Sequence, residues 1–123
     1  MYIIIYDFGT SSVKTCLFAI GSGIELVASS NTGYDLYTSS NGSAEQDTEE
    51  WWVALCSTTK DLLQKSGVEP YEIKVMAFCS QMQGSVFVDE NANAVRPPMN
   101  YLDQKEAKEF KECMGTSIIK ISG

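Results

Sequence analysis

Three β-rich runs joined by very short turns constrain this chain more than any other feature. Tyr2 to Tyr6 is β-branched or aromatic throughout and reads as a buried strand. Asp7-Phe8-Gly9-Thr10-Ser11-Ser12 is a polar, turn-forming stretch. Val13 to Ile20 reads as a second strand, Gly21-Ser22-Gly23 as a tight turn, and Ile24 to Ser30 as a third strand that extends toward Tyr34. Parallel strands need a crossover of about a dozen residues or more. The three runs must therefore form an antiparallel meander.

The middle of the chain changes character. Thr38 to Ala44 is small and polar and is expected to be a loop. Asp47 suits a helix N-cap, and Glu50 three residues on suits a capping box. Trp51, Leu55, Thr59, Leu62 and Leu63 then fall on one helical face, and at least one of Trp51 and Trp52 belongs in the core. Gly67 suits a left-handed stop, with Pro70 close behind. Ile73 to Cys79 is apolar except at Lys74 and predicts a strand covered on both faces. Ser85 to Val88 predicts a short strand before a turn at Asp89-Glu90-Asn91, and Pro97-Pro98 forces extended backbone. A last helix is predicted from about Asp103 to Met114, with Lys105–Glu109 and Lys108–Glu112 pairs on a solvated face, and a tail from Ile118 to Gly123. The fold class is α/β: a meander extended by further strands and flanked by helices.

Composition removes several functions. The net charge is −7 and no Lys/Arg cluster exists, so neither nucleic acid nor an anionic membrane surface is an expected partner. The apolar start lacks a basic flank and is interrupted by Asp7, so it reads as neither signal peptide nor membrane span. The chain has no His, which removes the commonest general base and metal ligand. Cys16, Cys56, Cys79 and Cys113 have no metal or redox spacing and read as reduced thiols of a cytoplasmic protein. Cys16 and Cys79, inside apolar runs, are expected to pack as small hydrophobes.

Three segments carry candidate chemistry. Asp7 at a strand end offers oxygen ligands to Mg²⁺. Gly9 lets a phosphate approach the backbone, Thr10, Ser11 and Ser12 add hydroxyl donors, and Lys14 adds charge. A plain hairpin uses the same residue types, so this turn alone leaves both readings open. Ser80-Gln81-Met82-Gln83-Gly84 leaves the apolar strand where α/β sheets bind ligands, and its amides and thioether suit a polyol; a polar exit from the sheet is the simpler reading. Asn100-Tyr101-Leu102-Asp103-Gln104-Lys105 sets an aromatic among polar groups, as a sugar-stacking surface or as a core Tyr beside a helix cap.

Taken together and in order, these segments resemble the FGGY carbohydrate kinases, most closely the xylulose kinase branch, within the ribonuclease H-like (actin-like ATPase) superfamily. Asp7 to Lys14 resembles the first phosphate motif. Ala44-Glu45-Gln46-Asp47 followed by Trp51-Trp52 is similar to the family's "AEQDP…WW" helix entry. Ser80 to Gly84 is similar to its "GQMHG" turn, and Arg96-Pro97 with Asp103-Gln104-Lys105 to its "RPAILWNDQR" segment. Gln83 stands where that branch has His, Tyr101 where it has Trp, and Leu102 where it has Asn.

The resemblance implies ATP and Mg²⁺ as cofactors and a small sugar or polyol, a ketopentose such as xylulose, as substrate. Asp7 would contact the metal shell, with Gly9, Thr10, Ser11, Ser12 and Lys14 around the phosphate. Gln81, Met82, Gln83, Tyr101 and Asp103 would line the sugar. Members of the family are several times longer, so residues 1–123 would be the N-terminal part of a first domain. The catalytic base and adenine pocket would lie beyond Gly123, and this piece alone would be inactive. The longer protein is expected to be cytoplasmic and to pair as a homodimer. A non-catalytic sugar-binding or regulatory module, and another actin-like ATPase, are the competing readings, since the Asp7 turn is common to all of them.

Overall fold

The structure is a computed structural model and describes residues 1–105. The chain divides into two compact units: Met1–Asp35 with Asp47–Met82, and Leu36–Gln46 with the residues from Gln83 onward.

The first unit is a four-stranded sheet under one helix. Its strands are β1 (Tyr2–Phe8), β2 (Ser12–Ile20) and β3 (Ile24–Gly33), which form the expected meander, and a fourth strand at Ile73–Ser80 in the order β3-β2-β1-fourth. The fourth strand is parallel to β1, with the helix α1 (Thr48–Ser66) in the connection, as a parallel pair requires. The turn after β1 is tighter than the sequence suggests. Asp7 and Phe8 still pair with Lys14 and Val13, and Ser12 already pairs with Gly33, leaving Gly9-Thr10-Ser11 as the connection.

The helix forms where its signals stand. The Asp47 side chain accepts the Glu49 N–H, and Gly67 closes the helix at φ 67° by donating its N–H to Leu63 O. The Glu50 carboxylate, in the first turn of the helix, accepts the Asp35 N–H. Ala54, Thr58 and Leu62 are fully buried, flanked by the half-buried Trp51, Leu55, Thr59 and Leu63, while Trp52 is exposed. The core joins Leu62 and Ala54 to Ile4, Tyr6, Val13, Leu17, Tyr34 and Val68.

Polar contacts run through the same helix–sheet interface. Thr15 and Thr58 hydroxyls meet at 2.7 Å, fully buried, and Tyr6 Oη meets Thr59 Oγ1 at 2.9 Å. Ser30 Oγ donates to Asp61 Oδ2 at 2.6 Å.

The apolar run Ile73–Cys79 is not covered on both faces. It is an edge strand of the sheet among the described residues, and Val75, Met76 and Phe78 are 42%, 57% and 60% exposed. Hydropathy reports what a strand can bury; the number of neighbours decides what it does bury. Cys79 is likewise exposed, and Cys16 and Cys56 are half-buried free thiols.

The second unit contains a hairpin of β4 (Tyr37–Thr38) and β5 (Ala44–Glu45) where the sequence suggests a featureless loop. The fourth strand of the first unit, Ile73–Ser80, is accordingly β6. Gly42 at φ 90° makes the turn of the hairpin. Ser85 to Val88 is no continuous strand; Ser85 bridges Met99 and Val88 bridges Ala94. Asp89 does head a turn, accepting the N–H groups of Asn91 and Asn93. The predicted last helix reaches the described residues only at its start, and its remainder, Cys113 and the Ile118–Gly123 tail lie outside them.

Candidate functional site

The phosphate-turn candidates and the first part of the amide motif come together at one end of the sheet of the first unit. β1 and β6 run parallel, so their carboxyl ends emerge side by side. Gln81 N–H donates to Phe8 O at 2.6 Å, which sets Gln81 and Met82 beside the start of the Gly9-Thr10-Ser11 turn. Met82 is 80% exposed there.

Strand register builds the charged row. Asp7 lies opposite Lys14 on β2 and opposite Cys79 on β6, and directly opposed residues share a face. All three are exposed, on the face away from α1, which instead covers Tyr6 and Thr15. Asp7 thus presents an accessible carboxylate, with a cationic neighbour on one side and a thiol on the other. The Cys79 thiol is pushed above its ordinary pKa by desolvation and then by its contact with Asp7 and that group's charge. It stays protonated at neutral pH and is a poor nucleophile.

The turn is tied down from behind by a residue that carries no motif. Tyr34 Oη donates to Gly9 O at 2.5 Å and to Ser12 O at 3.0 Å, and Tyr34 N–H donates to Ser11 O at 3.0 Å. Gly9 N–H closes the turn on Ser12 O at 2.9 Å. A Cβ at Gly9 would meet that same oxygen at 3.4 Å, an ordinary van der Waals contact. The Tyr34 ring is buried and leans on Trp51, with centroids 6.4 Å apart. The only signal for it in the sequence is positional: a lone aromatic at the end of β3, one strand away from the turn.

Burial, then the charge of Asp7, raises the Tyr34 phenol from 10.0 to about 12. The folded value lies above the unfolded one, so the neutral phenol stabilises the fold fully below about pH 10, and that contribution is lost as pH rises through 12. Tyr34→Phe has nothing to ionise and is expected to lack this part of the alkaline loss. Urea midpoints of both proteins between pH 9 and 12 test it. Equal alkaline slopes would refute the assignment.

A groove of about 470 Å³ lies nearby between the end of β3 and the start of α1, lined by Thr32, Gly33, Tyr34, Asp35, Glu49, Glu50, Val53 and Ala54. Its three carboxylates repel a phosphate, so it is a poor candidate for the nucleotide.

Gln83, Tyr101 and Asp103 belong to the second unit. Gln83 adopts φ 62°, a left-handed conformation unusual for a residue with a side chain. Gly84 follows with its Cα close to Met99 O, where a Cβ would sit at 3.3 Å. Tyr101 is 48% exposed. The Asp103 carboxylate is engaged within the unit: Oδ2 accepts Ala44 N–H at 2.9 Å and Oδ1 accepts Lys105 N–H at 3.1 Å. Burial raises its pKa, but these two N–H groups and the Lys105 ammonium outweigh it, and the net direction is down. Lys105 in turn pairs with Glu45, whose carboxylate also lies 4.0 Å from Arg96. Asn100 Nδ2 donates to Gln46 Oε1 at 3.3 Å in a buried contact.

Residues 2–120 match the N-terminal domain of the FGGY family of carbohydrate kinases. The chain belongs to this family. A xylulose kinase of Staphylococcus epidermidis is 28% identical over 106 residues, 86% of this chain and 21% of the relative. A gluconokinase of Bacillus subtilis is 29% identical over 126 residues, 99% of this chain and 24% of the relative. A solved gluconate kinase from Lactobacillus acidophilus superposes with a TM-score of 0.75 at 27% identity, over 93% of this chain and 23% of that one. The α/β fold is that of the FGGY sugar kinases, with their actin-like ATPase architecture. This FGGY chain spans between a fifth and a quarter of the length of the curated relatives it matches. No helix among its described residues is long and apolar enough to cross a membrane.

The geometry also bears on Mg²⁺. No group of three or more His, Cys, Asp or Glu side chains among the described residues could hold a metal ion. Asp7 alone, exposed at its strand end, fits a cation that keeps most of its waters and takes one or two carboxylates plus phosphate oxygens, which is the habit of Mg²⁺.

Proposed function

We propose that residues 1–123 form the N-terminal part of the first domain of an ATP-dependent sugar kinase, which transfers the γ-phosphoryl group of ATP to a hydroxyl of a ketopentose such as xylulose. The observation that carries this reading is the clasped Gly9-Thr10-Ser11 turn beside Asp7, at the sheet end where Gln81 and Met82 emerge. Asp7 would hold the Mg²⁺ shell; Gly9, Thr10, Ser11 and Ser12 would receive the phosphate, with Lys14 adding positive charge. Phosphoryl transfer needs mainly positioning and charge neutralisation, which these groups provide. Gln81, Met82, Gln83, Tyr101 and Asp103 are assigned to the sugar. Asp103, already bonded to Ala44 and Lys105, would act there chiefly by shaping its segment. The base that accepts the hydroxyl proton, and the adenine pocket, are assigned to the remaining length that the relatives possess. The piece by itself is proposed to be inactive, and the longer protein to be a cytoplasmic homodimer.

The neutral Gln83 argues for an uncharged hydroxyl over a carboxylate, hence for a ketopentose or polyol over a sugar acid. ADP release by the complete protein, measured on a panel of pentuloses, polyols and aldonates, tests this. A pentulose should give the highest kcat/KM. An aldonate in first place would overturn the substrate choice, and no sugar-dependent ADP release would overturn the kinase reading.

A further inference from the structure

We propose that Tyr34 is a positioning residue for the phosphate turn, holding the peptide groups of Gly9, Ser11 and Ser12 so that the turn is preformed for an anion. The inference rests on the proposed reading of Gly9-Thr10-Ser11 as a phosphate site. It comes from three bonds that converge on one residue. The Tyr34 hydroxyl donates to two carbonyls at once, those of Gly9 and Ser12, and the Tyr34 main chain donates to a third, that of Ser11.

In a planar trans peptide the N–H points opposite to the C=O of the same unit. Drawing the Gly9 and Ser11 carbonyls toward Tyr34 therefore turns the amides of Thr10 and Ser12 away from it. A turn fixed in this way does not spend binding free energy on ordering itself when the anion arrives. The clasp is itself held. The Tyr34 ring is buried against Trp51, and the next residue, Asp35, donates its N–H to Glu50 in the first turn of α1. The first turn of α1 and the phosphate turn are thus connected through a single phenol. Its raised pKa keeps the hydroxyl a donor at every pH the protein meets, so Tyr34 acts by position and not as a base.

Tyr34→Phe keeps the ring in place and removes only the hydroxyl. Amide NMR on the whole chain gives two readouts on folded protein: hydrogen exchange at Gly9 to Ser12, and the response of the same amides to ATP·Mg²⁺. The variant should exchange about three- to tenfold faster in the turn, the scale of one lost hydrogen bond. The protection of Ile4 and Leu17 relative to one another should be unchanged. ATP·Mg²⁺, expected to bind the wild-type chain only weakly because the adenine pocket is assigned to the remaining length, should bind the variant weaker by a similar factor. Unchanged exchange in the turn would overturn the clasp. Faster exchange with unchanged affinity would overturn its positioning role while leaving the phosphate site standing. A wild-type turn whose amides do not respond to ATP·Mg²⁺ at all would overturn the phosphate reading itself, and this inference with it.

Discussion

If the proposed function holds, replacing Asp7 with Asn is expected to lower kcat of the complete protein by about two orders of magnitude or more, the scale seen when one electrostatic stabiliser is removed from a reacting centre. Asn keeps the volume and can still accept a hydrogen bond, so β1 and its pairing with Lys14 and Cys79 should persist. What is lost is the negative charge at the exposed end of β1. That charge is what a hydrated Mg²⁺ would meet. The KM for sugar should hardly move, because the groups assigned to the sugar are other residues; a loss confined to kcat marks an interaction used in the transition state. Steady-state kinetics with Mg²⁺ varied to saturation would decide. If kcat is recovered fully at high Mg²⁺, Asp7 contributes only to metal affinity. If it is unchanged throughout, the assignment to the metal shell is wrong. An independent sign is available at Tyr34, whose phenol is raised in part by the Asp7 charge and should titrate lower in the variant.

The second large effect is on stability. Leu62→Ala should destabilise the chain by about 2–5 kcal/mol, the range for truncating a fully buried Leu. Leu62 has no exposed surface and belongs to the cluster with Ile4, Tyr6, Val13 and Leu17. A domain of this size is stable by only about 5–15 kcal/mol, so the loss takes a large share. Leu63, its half-buried neighbour, serves as the internal control, and Leu63→Ala should cost clearly less. Urea unfolding followed by circular dichroism would give both values. Equal losses, or a loss at Leu62 below about 1 kcal/mol, would mean that the helix does not present this face to the sheet.

The parts of the fold that can be read from the chain are those whose cause is local. The meander follows from β-branched runs and turns too short to cross over, and α1 follows from Asp47, its apolar spacing and Gly67. The Asp7 turn and the Gln81 exit are likewise visible as residue types at strand ends. The errors concern things set by partners distant in sequence. Ile73–Cys79 has the composition of a strand buried on both faces, yet its exposure depends on what lies next to it. Thr38–Ala44 has the composition of a loop, yet the Asp103 carboxylate, 59 positions away, accepts the Ala44 N–H and ties the segment down. Tyr34 carries no motif, and its role exists only because β3 returns the chain to the turn after β1.

The three hydroxyl pairings between α1 and the sheet bear on how this unit can move. Apolar side chains tolerate small sliding, because the dispersion attraction given up on one side is recovered on the other. The Thr15–Thr58 pair does not, since both hydroxyls are sealed from water and meet at 2.7 Å. Shifting α1 along its axis by one residue's rise, about 1.5 Å, would break that pair and strain Tyr6–Thr59 and Ser30–Asp61 in the same stroke. The buried Thr15 hydroxyl would lose its partner at a cost of about 1–3 kcal/mol, whereas Thr58 and Thr59 keep their bonds to helix carbonyls. Sliding of α1 over the strands is thereby opposed at three points, which hold helix and sheet in one register.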